Sequence, residues 1–419
     1  MKTIEIIADF DFFREPEIIG SLGYDRIRGT ASYTFEFASS WLRGMRKPSL
    51  SADLSPFSGL QHKSGRIFDF LADALPDRWG RRLIDKRERI LAEREKRIPR
   101  TFNDFDYLLQ VDDRSRMGAL RFSADNVLIG TEHDAMPLPP VARLSEFVAM
   151  AHDYETTEKN GSLPREEEWL ENVLLQGSSL GGARPKANVL DEDGRLCIAK
   201  IPSINDEYDV ALWEHFSHSL ARKAGIDAAE TRLLKLADIQ YHTLLSTRFD
   251  RASDRRRIHF ASAMTLCGLS DGSGADSGNG YLDIADVIFG NSGIASPQSA
   301  IQELYRRIAF NICIGNHDDH FRNHGFLLTK SGWKLSPAYD MNPTNQLTQS
   351  LLISPASNES SLSLLLDSCE YYMLEHSEAE QIVSEVRDAV KAWRIVATTC
   401  GISKSEQERF SRRLDYCIA

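Results

Sequence analysis

The most informative part of the chain reads Gly315-Asn316-His317-Asp318-Asp319-His320-Phe321-Arg322-Asn323, with Ala338-Tyr339-Asp340 shortly after it. Asp318 precedes Asn323 by five residues, and Asp340 follows Asn323 by 17 residues. Protein kinases show the same order: an Asp, four residues, an Asn and a later Asp. In phosphoryl transfer one Asp orients the attacking hydroxyl, while the Asn and the second Asp hold the metal on the phosphates. The spacing therefore predicts Asp318 as the catalytic base and Asn323 and Asp340 as metal ligands.

The His317-Asp318-Asp319-His320 cluster also allows a second interpretation. Two His and two Asp could bind a divalent metal in a hydrolase. Adjacent side chains point in divergent directions, however, so all four cannot reach one ion, and the sequence holds no second ligand-rich cluster. The kinase interpretation uses only Asp318 from this cluster and also accounts for Asn323 and Asp340. It leaves Asp319 or His320 with a structural role, holding the loop by hydrogen bonds.

Length and composition indicate a soluble globular protein of two or three domains. The chain has 419 residues, of which 42% are hydrophobic and 26% charged. No run of ~18 apolar residues occurs, so no membrane span is expected, and six scattered cysteines fit a reducing cytoplasm. The net charge is −11, whereas a protein that binds DNA by itself usually presents a basic field. These properties predict a cytoplasmic protein that would need a basic partner or a local basic patch to bind DNA.

The hydrophobic pattern predicts three parts, at 1–125, 126–250 and 251–419. In the first part Ile4 and Ile6 alternate with other residues, as in a strand, and a helical pattern forms an insertion. The second part combines a linker with strand patterns, and the third is mainly helical. The pattern therefore favours an α+β fold.

The second part contains a glycine-rich loop, Gln176-Gly177-Ser178-Ser179-Leu180-Gly181-Gly182-Ala183-Arg184-Pro185-Lys186. Strand, turn and strand follow it, and the second strand ends in Lys200. Glycines let backbone N–H groups approach phosphate oxygens, although they also serve ordinary turns. In kinases a lysine on a strand after such a loop contacts the nucleotide phosphates. We therefore expect Lys200 to bind a nucleotide.

Helix boundaries are predicted at several points of the third part. Ser296 and Pro297 are typical of an N-cap followed by proline at the first helical position. Ser377-Glu378-Ala379-Glu380 is typical of a capping box, and Gly401 is a stop signal. These signals predict one helix from Pro297 and another that begins at the capping box.

Taken together, these motifs resemble the HipA family of bacterial serine/threonine kinases, the toxin halves of type II toxin–antitoxin modules. The similarity extends over nearly the whole chain. It is carried by the segments 179–186 (SLGGARPK), 248–251 (RFDR), 307–311 (RIAFN), 316–327 (NHDDHFRNHGFL) and 335–340 (LSPAYD). The resemblance implies a two-lobed protein-kinase-like α+β fold, with an N-terminal β-rich subdomain and a mainly α-helical C-terminal lobe.

The resemblance also implies cofactors and residue roles. ATP and Mg²⁺ are the cofactors, Asp318 the base, Lys200 the nucleotide lysine, and Asn323 and Asp340 the Mg²⁺ ligands. The family pattern assigns further nucleotide contacts to Gly181, Gly182, Ala183, Lys186, Phe249, Asp250 and His320. Phe249 and Asp250 would lie at the hinge between the lobes, and His320 near the phosphates.

Ser179 matches the autophosphorylation serine of the family, and Ser178 beside it could share that role. A phosphate there adds about −1.5 to −2 charge to a loop that must approach ATP phosphates, so loss of activity is expected. The family further implies a small helix-turn-helix antitoxin of the HipB type as partner. It also implies a protein substrate of the aminoacyl-tRNA synthetase class, with DNA contacted only through the antitoxin and no membrane contact.

Two alternative functions remain within the same fold. One is a small-molecule or lipid kinase, which would consume ATP without phosphorylating protein. The other is a non-catalytic co-repressor that docks on a DNA-bound antitoxin. The presence of Lys200, Asp318, Asn323 and Asp340 together favours catalysis, because a docking scaffold gains nothing from costly polar groups in one cleft.

Overall fold

The structure is a computed structural model that describes residues 2–44, 48–131, 138–159, 184–290, 293–344 and 346–418. Its residues contact one another in two compact units. The first unit comprises Met1–Asp206, Leu236–Asp238 and Leu245–Phe260, and the second comprises Glu207–Lys235, Ile239–Leu244 and Ala261–Ala419. Neither unit is therefore one continuous segment of the chain.

The first unit is built on an antiparallel sheet of six strands. The strands are β1 Lys2–Ala8, β2 Glu17–Ile27, β3 Thr30–Phe37, β4 Gln61–Ser64, β5 Leu120–Ala124 and β6 Val127–Leu128. They lie in the order β4-β3-β2-β1-β5-β6. Ile4, Ile6 and Ala8 of β1 are buried, while the residues between them are partly exposed. The predicted alternation in this segment is thus confirmed.

Four helices belong to the same unit. They are α1 Ser39–Arg43, α2 Arg78–Arg94, α3 Asp104–Leu109 and α4 Leu144–Lys159, with single 3-10 turns at Asp69–Ala74 and Val141–Arg143. The Asp77 side chain caps α2 by accepting a hydrogen bond from the Gly80 N–H at 2.5 Å. Trp79 packs edge-on against Tyr154 of α4, with 5.3 Å between ring centroids. Capping and aromatic packing therefore fix the inserted helix.

A β-hairpin completes the first unit. It consists of β7 Lys186–Leu190 and β8 Leu196–Lys200, which pair antiparallel. The strand–turn–strand predicted from the sequence, with Lys200 at its end, is confirmed. The next strands along the chain are β9 Thr231–Leu234, which belongs to the second unit, and β10 Thr243–Thr247. The residues of β10 from Leu245 onward belong to the first unit, where β10 is the neighbour of β8.

The second unit is mainly helical, and its helices surround one long buried helix. They are α5 Val210–Lys223, α6 Ala263–Leu266, α7 Tyr281–Gly290, α8 Pro297–Ile314, α9 Leu362–Asp367, α10 His376–Val390, α11 Trp393–Cys400 and α12 Lys404–Ile418. 3-10 turns lie at Ala275–Ser277, Phe321–Asn323 and Cys369–Tyr372. Helix α8 packs against α7, α9, α10 and α12, and every residue of 307–314 is buried. The start at Ser296 and Pro297 matches the prediction.

Two strands follow α8. They are β12 Gly325–Thr329 and β13 Gly332–Leu335, which pair antiparallel with Phe326 opposite Leu335. A preceding strand, β11 His259–Ser262, lies beside β12 through its last residues. The strand pair places the loop of Asp318 before β12 and the segment of Asp340 after β13.

The predicted capping box at 377–380 is wrong. Helix α10 begins at His376 with Glu375 as N-cap, and no side chain caps it. The two acidic residues of the motif bind elsewhere, because the Glu378 carboxylate accepts from the Gln302 amide and Glu380 lies 3.4 Å from the His376 imidazole. The predicted stop is correct, because Gly401 ends α11 with a φ of 93°.

Two further features concern the chain as a whole. Cys313 in α8 and Cys417 in α12 are joined by a disulfide, with 5.1 Å between their Cα atoms. Nothing in the spacing of these cysteines indicates that pair. Across the described ranges, none of the helices has the length and apolar character required to span a bilayer.

Candidate active site

The loop that carries Asp318 begins where α8 ends. Gly315 terminates the helix with a φ of 74°, a left-handed conformation that glycine adopts without a steric penalty. The Gly315 carbonyl accepts from the Thr344 N–H at 2.8 Å, and the His317 carbonyl accepts from the Ser350 N–H at 3.0 Å. Backbone bonds therefore attach this loop to the segment that follows Asp340.

Asp318 is the exposed carboxylate of the loop. Its main-chain carbonyl accepts a hydrogen bond from Nδ2 of Asn323 at 3.1 Å. Partial loss of solvation raises the pKa of the Asp318 carboxyl. The positive charge of His320 opposes that change, while the negative charges of Asp340 and Asp319 add to it. Asp340 is thus near enough for its charge to act on Asp318.

Asp340 has an unusual backbone. Its φ is 59°, in the left-handed region that residues with a side chain adopt rarely. Hydrogen bonds hold the two residues before it. The Ala338 N–H donates to the Asp227 carbonyl at 2.7 Å, and the Tyr339 hydroxyl donates to the Arg322 carbonyl. Such conformations persist where the surrounding structure enforces them, often at functional sites. The fold therefore holds the backbone of Asp340 in a left-handed conformation.

Asn323 and His320 complete this group in the second unit. Asn323 is buried and ends the 3-10 turn Phe321–Asn323, while His320 is half-buried. Within the part of the chain that the structure describes, the buried Nδ1 of His320 has no hydrogen-bond partner. In the second unit Asn323 is thus hydrogen-bonded to Asp318, and the charges of His320 and Asp340 act on the Asp318 carboxyl; the predicted roles of these four residues stay predictions.

The first unit brings the two predicted lysines together. Lys186 and Lys200 stand directly opposite each other in the pairing of β7 with β8, so their side chains lie on one face of the hairpin. Lys186 is buried and its Nζ lies 3.4 Å from Oδ2 of Asp77, whereas Lys200 is half-buried. The carboxylate of Asp77 therefore lies beside one of these two lysines.

Phe249 and Asp250 lie just after β10. Phe249 is half-buried, with its ring centroid 6.0 Å from that of Phe260. Asp250 is buried, and it accepts from Arg248 Nε at 2.8 Å, Arg251 Nη1 at 2.7 Å and the Gly118 N–H at 2.7 Å. Burial alone would raise the pKa of Asp250, but the charges of Arg248 and Arg251 outweigh it and hold that pKa well below its usual value.

These contacts commit the Asp250 carboxylate to protein groups. Its nucleotide-binding role stays a prediction that this geometry does not favour. Gly181, Gly182 and Ala183 of the glycine-rich loop, and the serines at 178 and 179, lie outside the described residues. Their predicted roles also remain predictions.

Sequence reasoning left open whether Asp319 or His320 is structural, and the structure identifies Asp319. Its side chain is 3% exposed and accepts from Tyr281, Asn311 and His324. A signal for this existed in the sequence, because Asn311 is the one polar residue of the apolar run 308–314. A buried amide in such a run requires a hydrogen-bond partner.

The chain matches two family models. Residues 178–393, slightly more than half of the 419 residues, match the model of the HipA-like C-terminal domain. The chain belongs to the HipA-like family. Residues 13–123 match the model of the HipA N-terminal domain, which covers most of the six-stranded sheet. The family expected from the motifs is thus confirmed.

Individual relatives and one solved structure agree with this assignment. A protein of Haemophilus influenzae named as a kinase is 28% identical over 244 residues, which are 52% of this chain and 70% of that protein. The serine/threonine-protein kinase toxin HipA of Shewanella oneidensis is 25% identical over 185 residues, which are 39% of this chain and 42% of that toxin.

The solved structure shows the fold. Shewanella oneidensis HipA, in complex with HipB and operator DNA, superposes with a TM-score of 0.69 at 17% identity. The superposition covers 99% of this chain and 96% of that one. The expected α+β, HipA-like fold is therefore confirmed, whereas our three-part division of the chain stays a prediction.

Proposed function

We propose that this HipA-like protein is an ATP- and Mg²⁺-dependent protein serine/threonine kinase. The observation that carries the proposal is the arrangement of Asp318, Asn323 and Asp340. A hydrogen bond from the Asn323 side-chain amide reaches the Asp318 carbonyl, and Asp340, with its left-handed backbone, is close enough for its charge to act on the Asp318 carboxyl. The name of the Shewanella oneidensis relative, a serine/threonine-protein kinase toxin, supports the same activity.

The donor set on these loops fits a magnesium–nucleotide complex. Among the described residues, no three His, Cys, Asp or Glu side chains cluster as a metal cage. Mg²⁺ does not need one, because one or two protein oxygens, phosphate oxygens and water commonly complete its octahedron. Asp340 and the amide oxygen of Asn323 would hold the ion. Two buried atoms on the same loops, His320 Nδ1 and Asn342 Oδ1, lack hydrogen-bond partners within the described ranges, as expected where a ligand completes a site.

Asp318 would receive the proton of the attacking hydroxyl. The oxygen of a serine or threonine forms a bond to the γ-phosphorus, the bond from that phosphorus to the β–γ bridging oxygen breaks, and ADP leaves. The hydroxyl proton passes to the Asp318 carboxylate, whose raised pKa makes it a better acceptor than an ordinary aspartate. Bound Mg²⁺ would neutralise charge on the phosphates.

Lys186 and Lys200 would bind phosphate oxygens from the face that they share. Their side chains lie on one face of the hairpin, and ammonium groups form charge-assisted hydrogen bonds with phosphate oxygens. We assign Lys200 the larger role, because Lys186 is buried whereas Lys200 is half-buried. The glycine-rich segment with Gly181, Gly182 and Ala183 would cover the phosphates.

We further propose that the kinase is the toxin of a type II toxin–antitoxin pair. A HipB-like helix-turn-helix antitoxin would bind it, and DNA contact would be indirect, in line with the net charge of −11. The Shewanella oneidensis HipA structure, which contains HipB and operator DNA, supports that partner. A translation-related protein of the aminoacyl-tRNA synthetase class is the proposed substrate. Autophosphorylation would fall on Ser179, or on Ser178, and cytoplasmic residence follows from this role.

The test is transfer of ³²P from Mg²⁺·[γ-³²P]ATP to proteins of a heat-treated bacterial extract. The wild type is compared with Asp340→Asn and with Asp388→Asn, an exposed control in α10 whose partner Lys391 is also exposed. We expect labelled protein with the wild type and the control, and at least 100-fold less with Asp340→Asn. Label in small molecules alone would replace the proposal by a metabolite kinase, and no label anywhere would contradict it.

A further inference from the structure

A buried polar cluster is centred on Asp319, the residue that follows the exposed Asp318. Three donors converge on Oδ2 of Asp319: the Tyr281 hydroxyl at 2.7 Å, Asn311 Nδ2 at 2.8 Å and His324 Nε2 at 2.8 Å. Because an ionised carboxylate only accepts, Nε2 of His324 must carry a proton. The four side chains come from α7, α8, the Asp318 loop and the start of β12. Asp319 thus joins elements that are far apart in sequence.

The cluster continues to the segment that carries Asp340. Asn316 Nδ2 donates to Asn311 Oδ1 at 3.1 Å, and the Asn342 N–H donates to Asn316 Oδ1 at 3.4 Å. The Asn316 N–H also donates to the Asn311 carbonyl at 2.9 Å. A continuous chain of hydrogen bonds therefore runs from Asp319 through Asn311 and Asn316 to a residue two positions after Asp340.

Asp319 cannot act on a substrate itself. Its side chain is 3% exposed, and the peptide turns so that its neighbour Asp318 faces solvent instead. Burial alone would raise the pKa of Asp319, but the charge of His324 and the hydrogen bonds from His324 and Tyr281 lower it. A buried carboxylate is tolerated only with such partners, so its position is strongly determined.

We propose that Asp319 is a positioning residue that sets the loops of Asp318 and Asp340 relative to each other. The inference rests on the proposed kinase function, because it assigns Asp319 a part in that same site. It predicts that loss of the Asp319 carboxylate displaces Asp318 and the Asp340 segment together. Chemistry suffers when reacting groups move by about 1 Å, whereas nucleotide contacts made elsewhere on the chain persist.

The test compares wild type with Asp319→Ala, Asp319→Asn, Tyr281→Phe and the control Asp209→Asn. Asp209 is also a buried carboxylate of the second unit, which caps α5 through the Leu212 N–H at 3.0 Å and binds His242. Turnover and the KM for ATP come from steady-state phosphorylation. Hydrogen exchange by mass spectrometry follows the peptides over 315–324 and 341–350 and needs no activity. Tyr281→Phe removes only the hydrogen bond from the Tyr281 hydroxyl to Asp319, so it can replace Asp319→Ala in the test if that variant does not fold.

For Asp319→Ala we expect kcat to fall by about 100-fold, the cost of misplacing reacting groups by about 1 Å. The KM for ATP should stay within about threefold of wild type. Asp319→Asn, which keeps an acceptor oxygen, should recover part of kcat, and Tyr281→Phe should lose about tenfold, the cost of one bond to a charged group. Faster exchange should appear in both peptides for the Asp319 variants and in neither for Asp209→Asn.

Unchanged exchange in the 341–350 peptide, or an equal loss of kcat in Asp209→Asn, would overturn the inference. If the wild type transfers no phosphate, the kinase proposal fails, while the exchange data still decide whether Asp319 couples the two loops. A change confined to the KM for ATP would likewise contradict the inference.

Discussion

Replacing Asp250 by asparagine separates a structural role from the nucleotide role suggested by sequence. The Asp250 side chain is 1% exposed and neutralises Arg248, which is equally buried, and Arg251, whose side chain is 11% exposed. The Asp250→Asn variant would keep an acceptor for the Gly118 N–H but would leave two buried guanidinium groups without a carboxylate. We therefore expect the first unit to lose stability.

The size of the loss follows from these contacts. Removing one partner of a buried ion pair costs about 3–5 kcal/mol, because the remaining charge is left uncompensated. At about 2–4 °C per kcal/mol for a unit of this size, the melting temperature should fall by roughly 6–20 °C. Since the Asp250 pKa is depressed in the folded protein, this stabilisation is present at neutral pH and is lost only in strong acid.

The assay is urea denaturation at pH 7, followed by binding of a fluorescent ATP analogue at a urea concentration where each variant is folded. The control is Asp254→Asn, because the Asp254–Arg256 pair is more than half exposed and should contribute less than about 1 kcal/mol. The reasoning would be refuted if the free energy of unfolding of Asp250→Asn were within about 0.5 kcal/mol of wild type, because a difference of that size is typical of surface substitutions. Loss of nucleotide binding at unchanged stability would instead support the sequence-based role.

Three further changes test other parts of the molecule. Burial lowers the pKa of His259 to about 3. Because the unfolded chain binds this proton near pH 6.5, the free energy of unfolding should fall by about 1.4 kcal/mol per pH unit below pH 6.5. In urea titrations at pH 5 and 7, His259→Phe should show a smaller difference in the free energy of unfolding than wild type. Gly315→Ala should have a lower melting temperature than Gly401→Ala, although both glycines have positive φ. A Cβ at 315 would lie 2.8 Å from the Arg413 side chain, whereas one at 401 meets nothing within 4 Å. Equal melting temperatures would contradict this. Lys200→Gln should weaken ATP-analogue binding by about tenfold or more, the loss of one charge-assisted bond, and unchanged affinity would remove Lys200 from the site.

Local patterns predicted much of the fold. Alternation at Ile4 and Ile6 identified β1, and Ser296-Pro297 identified the start of α8, because both signals depend on neighbours within a few residues. The capping box at 377–380 failed for the opposite reason. Its glutamates contact Gln302 and His376 instead, and a motif of four residues contains no information on such contacts.

The candidate site likewise combines residues that the sequence could suggest with contacts that it could not. Asp318, Asn323 and Asp340 could be proposed from sequence because they lie in one short segment in an order that phosphoryl transfer uses, and their roles stay predictions. The burial of Asp250 depends on Gly118, 132 residues away, and the Asp319 cluster depends on Tyr281, 38 residues away. Long-range contacts of this kind decide which carboxylates face solvent, and only the folded chain reveals them.

The most direct test of the central claim is intact-mass spectrometry of wild type and Asp318→Asn after incubation with Mg²⁺·ATP. The protein is first treated with phosphatase, and the modified peptide is then mapped. We predict a gain of one phosphate in the wild type, within the peptide that contains Ser179 and Ser178, and no gain in Asp318→Asn. Equal phosphate incorporation in Asp318→Asn, or none in either protein, would contradict the account.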